Sequence, residues 1–404
     1  MTSNTEDLDS IAVNNFREYL QIPSVHPDID YGPCVEFLQR LANEIKLPVQ
    51  VIEPVASKPV VIISWLGQSP NLPSVLLNSH MDVVPVMPEE WKHPPFGAEV
   101  HDGKIYARGA QDMKCIGIQY LEAIRRLKEN NVQLQRTIHC SFVPDEEIGG
   151  AVGMKQFVKS KTFKELNIGM ALDEGLPSVD DRFLVYYGER CMWHVTFHCP
   201  GQPGHGSLLL KDTAAEKLHN LMSKIMAHRA EQVRLLDSDP DLTIGDVMTV
   251  NVTILNGGQQ ANVLPSELTM TMDCRIPVTS DINEWSKTLD TWCAESGEGI
   301  YMVQSRFENA KPTDISEENP YWMRFKESVD DMGLQIETRI FPGGTDSRFL
   351  REMGIPALGF SPIINHPVLL HDTDEYLAES MFLRGIEIYM KLISSLGDIA
   401  NDEN

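Results

Sequence analysis

The sequence predicts an α/β protein with a largely parallel sheet, interrupted by a smaller α+β domain. Three observations carry this. Short β-rich runs alternate with helical stretches up to about Gly188. The pattern then changes to one β-α-β-β-α-β series, the ferredoxin-like order. From Lys311 onward the β/α alternation resumes, so the middle part reads as an insertion between 1–188 and 310–404, spanning 189–309.

Residues 11–22 carry apolar side chains at helical spacing (Ile11, Phe16, Tyr19, Leu20), and Pro33 opens a second helix through Leu47. Strands are expected at 49–52 and 60–65. Val75-Leu76-Leu77 follows Pro73-Ser74 and reads as a buried strand that ends in the polar Asn78-Ser79-His80. A short strand at 104–107 leads through Arg108-Gly109-Ala110-Gln111-Asp112 into a helix at 113–129. A β-rich run at 137–143 ends in Pro144-Asp145-Glu146-Glu147, with Gly149-Gly150 before a helix at 154–159. The strand expected at 168–172 ends in Asp173-Glu174-Gly175. In the insertion, strands are expected at 192–198, 247–255, 267–275 and 300–307, with helices at 213–234 and 283–296. Strands at 335–341 and 357–360 and a closing helix at 372–396 complete the chain.

Composition narrows the function. The 404 residues are 42% hydrophobic and 23% charged, ordinary for a globular enzyme, with a formal net charge of −24. Phosphate neutralisation needs clustered Lys and Arg, so a nucleic-acid partner is not expected. No run approaches the ~18 apolar residues of a membrane span. The first ten residues are polar and acidic, unlike a secretory signal or transit peptide. Seven cysteines without a Cys-x-x-Cys pair read as reduced thiols, and the expected location is cytoplasmic.

Chemistry concentrates at the ends of the expected strands. His80 and Asp82, one residue apart, would let His80 face a metal while Asp82 holds the proton on its other ring nitrogen. Asp112, Glu147, Asp173 and His371 stand in comparable positions, and open α/β sheets bind ligands at the carboxyl ends of their strands. Each acid alone reads more readily as a solvated loop residue or a cap. Two histidines and three carboxylates together suit two zinc ions if one carboxylate bridges, with an open position on each for water or substrate. Cobalt or manganese would suit similar ligands. Glu146 adjoins a ligand but points differently, and so is available as a base. The remaining histidines (26, 93, 101, 139, 194, 198, 219, 228, 366) fit no metal pattern and are expected at surface or satisfied core positions. Met222 and Met226, four apart on a helix, are expected to pack or meet a second copy.

His80-Met81-Asp82, Arg108 through Lys114, Asp145 through Gly150, Gly343 through Asp346 and Leu370-His371-Asp372 resemble the dizinc amidohydrolase and exopeptidase family. That family includes acetylornithine deacetylase, succinyl-diaminopimelate desuccinylase and the cytosolic aminoacylases. The resemblance spans residues 10 to 396, and Gln111, Cys115 and the segment 368–372 point to the aminoacylase branch. It implies an exopeptidase-like catalytic domain with a lid or dimerisation domain, and hydrolysis of N-acyl-L-amino acids by a zinc-bound water that Glu146 activates. By the same resemblance, His80, Asp112 and Asp173 hold one zinc, and Asp112, Glu147 and His371 the other, with a cis peptide after Asp112. Asp82 would orient His80. His205, in Pro203-Gly204-His205-Gly206-Ser207, would reach the site of a homodimeric partner, although a turn histidine is the plain alternative. Asn262 and Arg275 would bind the substrate carboxylate, Arg275 otherwise being a salt-bridged strand residue. Arg348 is a second carboxylate candidate, a surface helix role being the plain alternative, and the Gly343 and Gly344 amides would line the pocket. A dipeptidase or carboxypeptidase of the same family is one alternative, and a non-catalytic scaffold is another.

Overall fold

The computed structural model describes residues 2–306 and 310–399. They form two compact units. The first draws on residues within 1–187, 313–338 and 345–404, the second on 188–312 and 339–344. Gly343 and Gly344, expected in the flanking domain, thus belong with the inserted one. The reason is local: Arg190 takes the Phe341 carbonyl with its N–H and the Pro342 carbonyl with its guanidinium (Nη2, 2.7 Å).

The first unit is built on an eight-stranded sheet. In spatial order its strands are Val49–Val55, Lys58–Trp65, Ile138–Val143, Ser74–His80, Ile168–Asp173, Ala357–Phe360, Phe183–Glu189 and Ile336–Phe341. The central four run parallel, as expected, while the first two strands and Phe183–Glu189 pair antiparallel at the flanks. Every residue of Ser74–His80 and Ile138–Val143 is buried, the pattern of strands covered on both faces. Alternate side chains divide between two cores. Val61, Ile63, Val75 and Leu77 join the larger one, under Thr2–Leu20, Lys114–Glu129 and Glu379–Gly397. Val60, Ile62 and Leu76 join the smaller one with Met154, Phe157 and Phe349. Gly117 lets the helix Lys114–Glu129 close onto the sheet, since a Cβ there would lie 2.6 Å from the Phe142 ring.

Several boundaries differ from expectation. The strand Phe183–Glu189 and the helix Pro320–Asp331, capped by Asn319, were not individually anticipated. The closing helix begins at Glu379, not residue 372. Tyr376–Ala378 instead pairs with Lys104–Tyr106, and the Glu375 side chain is taken up by other backbone, described below.

The second unit is a four-stranded antiparallel sheet, in the order Thr249–Gly257, Glu267–Ile276, Cys191–Pro200, Tyr301–Arg306, with helices Ala214–Ser238 and Ile282–Ser296. That is second, third, first, fourth in chain order, the ferredoxin-like arrangement. The end of the last expected strand, Phe307, lies outside the described residues. Strand Cys191–Pro200 alternates buried with more exposed positions, so one face meets the helices through Trp193, Val195 and Phe197. Thr213 and Glu216 form a capping box at the start of the long helix. On that helix Met222 packs against the core while Met226 is exposed.

Among the described residues no helix is long and apolar enough to cross a membrane. All seven cysteines are free and buried. His139 is a satisfied core histidine, with Nδ1 2.8 Å from Ser64 Oγ. Burial holds its pKa down to about 4. The unfolded chain therefore binds a proton between pH 6.5 and 4 that the folded chain refuses, and stability falls through that window by about 3 kcal/mol for this group. Denaturant titrations of wild type and His139→Gln should show the stability difference shifting toward the variant by about that amount as pH falls from 7 to 4. A difference independent of pH would remove His139 as the titrating group.

Candidate metal centre and active site

The strand Ser74–His80 delivers His80 to the carboxyl edge of the sheet, fully buried. Its Nδ1 lies 2.9 Å from the main-chain oxygen of Asp82. Donation of the Nδ1 proton to that carbonyl leaves the Nε2 lone pair facing Asp112 Oδ1 at 3.0 Å and Glu174 Oε2 at 3.8 Å. Asp112 turns its other oxygen to His371 Nε2, 3.2 Å away, and Glu147 Oε2 lies 3.1 Å from the same nitrogen. Two ligand sets result, His80–Asp112–Glu174 and Asp112–Glu147–His371, and Asp112 belongs to both.

This donor set fits a pair of divalent cations. Three carboxylates and two imidazoles converge with their ligand atoms within 4.8 Å of one another in each set. Glu147 Oε1 is buried without a hydrogen-bond partner. Burial and the charge of Asp112 push Glu147 up, and burial with the same neighbour pushes Glu174 well above the carboxylate range. Asp112 and Glu147 together raise His371 to about 10. Burial first and like charge second work against ionised carboxylates here, and a cation between the groups relieves both.

The supports of these groups are specific. Glu375, fully buried, accepts the N–H groups of Gln111 at 2.6 Å, Gly109 at 3.1 Å and Asp112 at 3.4 Å, and pairs with Arg108 Nη1 at 2.8 Å. It therefore shapes the turn that presents Asp112. The Asp112–Met113 peptide is cis, as the resemblance implied. Asp145, at φ 61°, turns the chain after the strand Ile138–Val143, and its carboxylate is held by Tyr31 Oη and Lys58 Nζ, both at 2.6 Å. The next two N–H groups, of Glu146 and Glu147, both donate to the Asp82 carboxylate, at 3.1 and 3.0 Å.

Two expectations need correction. Asp173 is not among the converging ligands; its neighbour Glu174 is. Leu77 pairs with Leu172, which sets Asp173 beside Asn78. The Asp173 oxygens are accordingly taken by Asn78 Nδ2 at 3.1 Å and Ser347 Oγ at 2.8 Å. Glu174, one residue further and one methylene longer, reaches His80. Asp82 does hold the His80 proton, but with its main-chain oxygen. Its carboxylate Oδ1, 3.7 Å from Nδ1, accepts the Glu146 N–H instead, while Oδ2 accepts the Glu147 N–H and lies 2.9 Å from His26 Nε2.

Glu146 is buried, and burial with the nearby charge of Glu174 raises its pKa well above the ordinary value. A carboxylate tuned upward in this way is suited to accept and return a proton near neutral pH. Arg348 is buried, and its Nη2 donates to the Gly149 carbonyl at 2.8 Å, bracing the turn that follows Glu147. His205, Asn262, Arg275, Gly343 and Gly344 belong to the second unit. There the pairs Gly204/Leu264 and His205/Val263 form a short ladder, and Gly206 N–H donates to the Asn262 carbonyl, so His205 and Asn262 share one corner. Arg275 makes a salt bridge to Asp273 at 3.0 Å on its own strand. Glu174, Glu375 and His26 were not anticipated. The acid pair Asp173-Glu174 was visible, but only the strand register separates its members.

Fold and site together describe an α/β unit whose sheet edge carries a carboxylate–imidazole cluster suited to two cations, and a separate ferredoxin-like unit. The model of peptidase family M20/M25/M40 matches residues 76–395, and the chain belongs to this family. It is 45% identical to aminoacylase-1 of Mus musculus over 401 residues, covering 99% of this chain and 98% of that one. Identity to aminoacylase-1 of Dictyostelium discoideum is 42% over 397 residues, covering 95% and 97%. Among solved structures, an M20 family metallo-carboxypeptidase of Sulfolobus solfataricus shares the fold at TM-score 0.75 and 18% identity, covering 96% of this chain and 99% of that one.

Metal analysis after exhaustive dialysis checks the ligand assignment. Glu174→Gln should lose bound metal that Asp173→Asn retains; the reverse pattern would restore Asp173 as the ligand.

Proposed function

We propose that this protein hydrolyses N-acyl-L-amino acids to a free amino acid and a carboxylate, with two zinc ions on His80, Asp112 and Glu174 and on Asp112, Glu147 and His371. The observation that carries the reading is 45% identity to an aminoacylase over nearly the full length of both chains, with a ligand set and a base all present. Imidazole and carboxylate donors suit zinc, and cobalt or manganese would occupy the same ligands. The bound pair supplies Lewis acidity and a water of lowered pKa.

The chain's own groups do the rest. Glu146 takes the proton of the attacking water and returns it to the departing amine nitrogen, so one buried carboxyl serves as base and then acid. Asp82 fixes that carboxyl's position through the Glu146 amide. In the second unit, His205 Nδ1 accepts the Ser207 N–H at 3.2 Å, so Nε2 carries the proton and is a donor suited to the developing oxyanion. Asn262 and Arg275 bind the α-carboxylate of the substrate, while the Gly343 and Gly344 amides line its pocket. Leu208, Leu209 and Val263 are exposed near His205, and we assign this unit to a homodimer in which His205 serves the partner's site. The protein acts in the cytoplasm, on small molecules.

Glu146→Gln should keep its metal content and lose at least the ~10²–10⁴-fold of general acid–base catalysis; near-normal turnover would remove the assignment. Release of acetate from N-acetylmethionine should exceed cleavage of dipeptides and should disappear with chelator. Preferred dipeptide cleavage would make the protein a peptidase. Mixing His205→Asn with Glu146→Gln should regain activity through hybrid dimers, and no recovery at any ratio would place His205 in its own subunit's site.

A further inference from the structure

A second group of metal-ligating side chains lies in the first unit and shares no residue with the centre described above. Glu99 and His101 sit two apart on the strand Glu99–His101, hence on one face of it. His93 comes from the preceding loop. His101 Nε2 lies 2.8 Å from Glu99 Oε2, and His93 Nδ1 lies 3.5 Å from the same oxygen. The two imidazoles stack at 4.2 Å with a 27° interplanar angle, and the Tyr106 ring is 4.2 Å from His93. The three ligand atoms fall within 4.8 Å of one another.

The geometry points to a further divalent-metal site, His93–Glu99–His101, that takes zinc or a neighbouring late first-row cation. Tetrahedral zinc at its usual bond lengths spaces its N and O ligands by about 3.3 Å. The two nitrogen–oxygen spacings, 2.8 and 3.5 Å, bracket that value, and the two ring nitrogens lie within 4.8 Å of each other. Two imidazoles and one carboxylate favour zinc or copper over calcium or magnesium. The side chains of Glu99 and His101 are close to half exposed, which leaves room for water at the remaining position. The formal charge of −24 favours any cation.

Occupancy would also clamp a loop. His93 precedes the strand that carries the other two ligands, so the ion ties the loop to the sheet edge. The same loop also holds the chain just after His371, where Lys92 N–H donates to Asp374 Oδ1 at 2.7 Å, three residues on. A cation here would therefore steady the turn that presents His371, without touching substrate.

The test uses the full-length protein with its tightly held metals in place, dialysed against graded zinc at pH 7.5 and assayed for bound metal. Wild type should take up one more zinc than His101→Asn or Glu99→Gln. Loss of a direct ligand should weaken that uptake by more than the ~10–100-fold typical of an outer partner. Turnover at low zinc should be equal in all three. Modification of His93 and His101 by diethyl pyrocarbonate, mapped by mass spectrometry, should be blocked by zinc in wild type alone. Equal uptake in wild type and both variants, or histidines modified equally with and without zinc, would overturn the site.

Discussion

Three carboxylates forced together at the buried edge of a sheet are the constraint on which the rest of this structure depends. Asp112, Glu147 and Glu174 stand around the imidazoles of His80 and His371. Burying an unpaired carboxylate is expensive, and the usual escapes are protonation or a metal. The raised pKa values of Glu147 and Glu174 express the first escape; the shared position of Asp112 between His80 and His371 is built for the second.

Much of the surrounding architecture keeps those groups in place. Glu375 spends its carboxylate on the N–H groups of Gly109, Gln111 and Asp112, in the turn before the Asp112–Met113 peptide, and Arg108 neutralises it. Asp82 does the same for the Glu146–Glu147 pair, with His26 on its far side. Arg348 holds the carbonyl of Gly149 just beyond. Glu375 and Asp82 are buried charges with several backbone partners each, so the position of each supporting group is set from more than one side. The parallel strands make this economical, since Ser74–His80, Ile138–Val143 and Ile168–Asp173 end at the same edge and release their polar ends there together.

The outline of the fold was legible because hydrophobic period and strand-end chemistry are local. The central parallel strands, the β-α-β-β-α-β order, His80, Asp112, Glu147 and His371 all stood in short stretches whose residue types announce them. What failed was whatever depended on a neighbour distant in sequence. Residues 372–378 look helical alone, yet the closing helix begins only at Glu379, because Tyr376–Ala378 is claimed by a strand some 270 positions away.

The sequence by itself determined which chemistry was possible: imidazole and carboxylate ligands at strand ends, an extra glutamate for proton transfer, and a chain lacking the basic clusters of a nucleic-acid binder. Only the tertiary structure decided between Asp173 and Glu174, and between the carboxylate and the carbonyl of Asp82. Both choices hang on the register of Ser74–His80 against Ile168–Asp173 and on competition from Asn78, Ser347 and the Glu146–Glu147 amides. A residue's type says what it can bind; which atom is left to bind it depends on the partners that packing brings alongside.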